Sequence, residues 1–165
     1  MNYNSLTEYF YKLYNRCLAL MFPPVAGFLY LYQLVLNNTI KPSVAEVATT
    51  DVIVVAFPTT ALVGLTIVHW LCAKSIKRYA SELSLGIRLD HYAKIATIRA
   101  VAAVGASLLM ALGLFLTQHP YFTVYLSVLV VWIVLYWPTP GKIARDYKLK
   151  GDEKHMVLTK GEDFK

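Results

Sequence analysis

No aspartate or glutamate falls within any of the four long apolar blocks of this 165-residue chain, at residues 17–36, 52–73, 95–117 and 121–137. Ion-coupled carriers ordinarily keep a carboxylate inside the bilayer, so its absence argues against that class. Charge is scarce overall, 16% of residues against 57% hydrophobic, which is too apolar for a soluble domain of this size. Cysteine is nearly missing: Cys17 and Cys72 stand alone, with no CxxC, which argues against both a redox motif and a zinc site. The histidines, His69, His91, His119 and His155, do not share one depth, and only His69 lies within an apolar block. No metal or cofactor is therefore expected. HExxH, GxSxG and P-loop patterns are also missing, which argues against an enzyme. No cleavable signal peptide is expected either, because Glu8 and several tyrosines precede the first block and no small-residue cleavage site follows a short apolar core.

What is present is length and apolarity. A helix of about 20 residues crosses a hydrocarbon core of ~30 Å, with a working range of about 17–25. All four blocks fall in that range, and in lipid only a helix satisfies its own backbone. The expectation is an all-α integral membrane protein with four transmembrane helices, forming a bundle over residues 17–137.

Charge sets the threading. Lys12 and Arg16 precede the first block, five basic residues lie in 74–94 and seven follow the fourth block. The connection 37–51 holds only Lys41, and 118–120 holds none. By the positive-inside rule both termini are cytoplasmic, in a plasma (inner) membrane. The net charge of +6 then suits anionic headgroups better than nucleic acid, which is not expected as a partner. On this threading Cys17 and Cys72 face a reducing compartment that disfavours a disulfide.

Local signals fill in the outline. Ser5 and Glu8 form a capping-box pattern, so a helix starts there. Its tyrosines predict an aromatic helix over residues 1–16 lying in the membrane interface. Residues 74–94 read as a cytoplasmic helical hairpin that extends spans two and three and turns near Ser84 and Gly86. Antiparallel partners then have numbers summing to about 168, which sets Arg78 opposite Asp90 as an ion pair, His69 opposite Arg99, and Glu82 near Arg88. Gln118, His119 and Pro120 make a tight turn, with Pro120 suited to the first turn of the fourth helix. Pro138 and Pro140 end that helix. Residues 138–165 read as a charged cytoplasmic tail with one apolar island at Met156, Val157 and Leu158.

Within the spans, the informative residues are the small, polar and helix-breaking ones. Arg99, Ala103, Ala106, Met110 and Gly113 share a face of span three, marking it as the central helix. Pro23, Pro24 and Pro58 predict kinks. Gly27, Gly64 and Gly105, near mid-depth, predict close helix packing, with Pro23 and Pro24 bending span one above the interfacial helix and Gly27 against span three. Arg99, the only charge inside a block, is placed to reach the headgroups. With His69 nearby it is the candidate contact for an anionic lipid or ligand. The functional expectation is a non-catalytic accessory or scaffold subunit of a larger membrane complex, with membrane lipids and a protein partner. Two alternatives remain open at this stage. One is a small transporter or channel with a midplane cavity between kinked helices. The other is a lipid-binding or lipid-modifying protein with an inner-leaflet site.

Overall fold

The computed structural model describes residues 5–44, 46–81 and 84–161. Among these residues the chain is all-helical, with α1 (Leu6–Leu36), α2 (Val47–Tyr79), α3 (Leu85–Thr117), α4 (Tyr121–Leu135), α5 (Pro140–Asp146) and α6 (Gly151–Leu158). The first three are long and apolar enough to cross a membrane, and α4 joins them if it is counted with α5 as one span bent by 73°. At about 1.5 Å per residue the three long helices run to roughly 45–50 Å, well beyond a hydrocarbon core. The excess forms a helical layer at the end that carries most of the basic residues.

Helix α3 is the hub, packing against α1, α2 and α4. Its buried face includes Arg99, Ala103, Ala106, Met110 and Gly113, the face marked by its small residues. Two apolar clusters result. One, toward the Gln118 turn, gathers Phe28, Leu65, Leu114, Phe122 and Leu126. The other, toward the basic end, gathers Tyr9, Phe10, Tyr92, Ile143, Tyr147 and Val157.

The caps explain where the helices begin and turn. Ser5 is extended and its hydroxyl accepts from the Glu8 amide at 3.1 Å. Gln118 takes the left-handed conformation (φ 54°), which ends α3 and lets α4 start three residues later at Tyr121. The Gln118 side chain donates to the Ile40 carbonyl at 2.7 Å, and the Val44 amide donates to the Leu116 carbonyl at 3.0 Å, strapping the first loop to this turn.

Three expectations change. First, α1 runs unbroken through Pro23 and Pro24, so its aromatic start is continuous with the span and does not lie flat as a separate interfacial helix. Proline's fixed φ suits a helix, and the loss is confined to two donors, leaving the Ala19 and Leu20 carbonyls without their usual partners. Tyr9 and Phe10 are buried by protein, and the Tyr9 hydroxyl donates to the Leu89 carbonyl at 2.8 Å. Pro58 likewise sits inside the continuous α2. Second, the tail is folded. Thr139 caps α5 by accepting from the Lys142 amide, Pro140 opens the helix, and Ile143 and Val157 are fully buried. Third, the glycines differ in role. A Cβ at Gly27, Gly64 or Gly105 meets nothing within 4 Å, and all three are exposed, so they do not mark close packing within the chain. Gly113 does: a Cβ there would overlap the Phe122 ring.

Candidate functional site

Where α4 ends and the chain turns into α5, a cavity of about 280 Å³ opens between α2, α3 and α5. From α2 come His69, Ala73, Ile76 and Lys77, spaced so that one helical face lines the wall. Arg99 enters from α3 and Tyr136 from the end of α4, while α5 contributes Lys142, Arg145 and Asp146. The 73° turn is what brings α5 back over this wall.

The Tyr136 ring organises the basic groups. The His69 ring lies 4.5 Å from it, centre to centre. Lys142 Nζ lies 5.0 Å and the Arg99 guanidinium carbon 5.8 Å from its centre. Cation–π attraction of this kind contributes about 0.5–1 kcal/mol. One nitrogen of each side chain, His69 Nδ1, Arg99 Nε and Lys142 Nζ, is buried without a hydrogen-bond partner, while Arg99 also hydrogen-bonds Cys72. Arg99 as a whole is 7% exposed. Burial lowers the pKa of the Lys142 ammonium, Asp146 opposes this, and Arg145 and Arg99 lower it further. Among the described residues Asp146 is the one acid lining the cavity, and its carboxylate lies 3.8 Å from Arg145 Nε. The cations at this cavity therefore outnumber the acids among the described residues.

Behind α5 a second polar network fixes its position. His91 Nδ1 lies 3.0 Å from the Tyr147 hydroxyl and His91 Nε2 lies 3.0 Å from Ser75 Oγ. Tyr79 stacks on the same imidazole at 3.7 Å. Burial pushes up the pKa of the Tyr147 hydroxyl and lowers that of His91. Nearby, the buried Arg88 bonds Glu153 of α6 at 2.5 Å.

His69 and Arg99 thus meet at one cavity. Arg78 and Asp90 do not meet: Arg78 is exposed, Asp90 pairs with Lys94 at 3.2 Å, and among the described residues no ion pair joins the two. Ser75 and Tyr79 of α2 meet His91 of α3. Glu82 lies outside the described residues, and Arg88 pairs with Glu153. Thr59 and Thr66, which share a face with His69 in sequence, bond back to the Val55 and Leu62 carbonyls of their own helix.

Sequence reasoning missed Lys77, Tyr136, Lys142, Arg145 and Asp146. The signal for the last three was the Thr139–Pro140 helix start followed by Ile143 and Tyr147 one turn apart, an apolar pair in a charged segment. Set beside known proteins, the chain matches no family model, no curated protein and no solved structure.

Proposed function

We propose that the protein is a non-catalytic, multi-pass membrane protein that binds an anionic ligand at its cytoplasmic face, with four spans and both termini in the cytoplasm. The observation that carries this reading is that His69, Arg99 and Lys142, each with a buried nitrogen that lacks a hydrogen-bond partner, line one cavity. The cavity belongs to the basic end of the helices, which the positive-inside rule assigns to the cytoplasm. A transport path would instead need a cavity reaching Gly27 at mid-depth, and Gly27 faces outward.

A ligand that binds only the folded state raises the unfolding temperature, logarithmically once its concentration passes Kd. Thermal unfolding of the detergent-purified chain should therefore rise with added inorganic phosphate and not with equal ionic strength of chloride. The gain should vanish in Arg99→Gln. An equal response in wild type and variant would remove the cavity from the explanation.

A second reading, as an accessory subunit with a partner in the membrane, is favoured by the outward Gly27, Gly64 and Gly105. Small residues on an open helix face let another helix approach closely. Gly105→Leu should then abolish co-purification of a membrane partner without lowering the protein's own unfolding temperature.

A further inference from the structure

We infer that the anion held in this cavity is a phosphomonoester, carried on the end of a membrane lipid. The inference rests on the reading of the cavity as an anion site and adds the class of ligand.

The donor arrangement points to the phosphomonoester. The side chains come from three elements, His69 from α2, Arg99 from α3 and Lys142 from α5, and line the cavity from three sides. A phosphomonoester offers three terminal oxygens to accept from three directions. A phosphodiester keeps two and carries a single charge, and a carboxylate presents two in one plane. Charge agrees with the donor count. Lys77, Arg99, Lys142 and Arg145 line the cavity against Asp146 alone. A phosphomonoester brings about −1.5 to −2 charges near neutral pH, closer to that excess than any monoanion.

Position points to the lipid. On α2, Trp70 is 61% exposed and Lys74 lies over its ring at 5.5 Å. An outward tryptophan with a lysine beside it marks the headgroup zone, and these two residues each directly follow one that lines the cavity, His69 and Ala73. The site therefore opens at headgroup depth. Ala73, Ile76 and the Tyr136 ring supply apolar wall beside the cations. A cavity of about 280 Å³ holds the volume of roughly nine waters, more than one phosphate fills, so the ester stem enters with it.

The test uses the full chain purified in detergent and three probes: inorganic phosphate, dioctanoyl phosphatidic acid and dioctanoyl phosphatidylglycerol. Phosphatidic acid should bind at least about tenfold more tightly than the other two, and Arg99→Gln and Lys142→Gln should each weaken it by about tenfold or more, the scale of one lost charge-assisted hydrogen bond. Lys41→Gln, in the loop at the opposite end, should leave it unchanged. Lys142→Gln keeps the test alive if Arg99→Gln fails to fold. If phosphatidylglycerol binds as tightly as phosphatidic acid and both are lost in the variants, the phosphomonoester is overturned while the anion site stands. If inorganic phosphate matches phosphatidic acid, the lipid source is overturned in favour of a soluble phosphate ligand. If no probe responds to either substitution, both the inference and the reading beneath it fail.

Discussion

Gly113 and His91 show how single positions decide the packing. A Cβ at Gly113 would run into Phe122, which is fully buried between α3 and α4. Gly113→Ala should therefore destabilise the purified protein by about 1–3 kcal/mol in spite of alanine's better helix propensity. Phe122→Leu in the same chain should recover much of that loss in a double-mutant cycle. Gly27→Ala, with open space around it, should be neutral or slightly stabilising. His91 provides a pH dependence. Burial is the largest cause lowering its folded-state pKa below the usual 6.5, Lys94 adds to this and Asp90 opposes it. The unfolded chain then binds more protons than the folded one as pH falls through 6.5, so stability present above that value is lost below it. Unfolding temperatures at pH 7.5 and 5.5 should differ more for the wild type than for His91→Gln. An identical pH slope in the two would rule out His91 as the source. Arg99 and His69 were legible as site residues because polar side chains inside apolar blocks stand out. Lys142 and Arg145 were not, since a basic residue in a charged segment looks like ordinary solvated surface.

At the scale of the element, hydropathy finds only the part of a helix that lipid surrounds. The apolar blocks at 17–36, 52–73 and 95–117 are the cores of helices of 31, 33 and 33 residues, whose remaining turns at the basic end bury only one face, with Tyr9, Ile76 and Tyr92 among its residues. The Ser5 cap and the Gln118–Pro120 turn were readable because each is decided within a few residues. Helices α5 and α6, of 7 and 8 residues, are too short to be stable alone and exist through distant packing, so the Thr139–Pro140 start and the Met156–Leu158 island do not by themselves say where they dock. Helix α6 is held by the fully buried Val157 and by the Arg88–Glu153 pair. Val157→Asp should undock it, making residues 148–161 quickly cleaved in limited proteolysis while the longer helices survive. Glu153→Gln should have a milder effect of about 1 kcal/mol, because the Glu153 side chain is 40% exposed and water screens the pair. Unchanged cleavage in Val157→Asp would show that α6 is not docked through this residue.

For the whole molecule, the proposed threading gives a sharp labelling pattern. Single cysteines at Ser43 and Gly161, in a background lacking Cys17 and Cys72, should differ: Ser43→Cys reacts with an impermeant thiol reagent on intact cells, and Gly161→Cys reacts only after permeabilisation. External labelling of Gly161→Cys would invert the threading and place the anion cavity on the other side. The division of the molecule into a lipid-facing bundle and a protein-packed basic end also fixes an order in time. Thr7 of α1 donates to the Lys160 carbonyl across 153 residues of sequence, and Leu6 lies within 4 Å of the Cβ position of Gly161. The aromatic start of α1 leaves the ribosome before Ile143, Tyr147 and Val157, members of the same apolar cluster. Until those residues emerge, Tyr9 and Phe10 wait with that part of their surroundings unmade, so the layer that shapes the cavity closes only after the four longer helices have been made, and a nascent chain stalled before α5 carries those helices without the cavity.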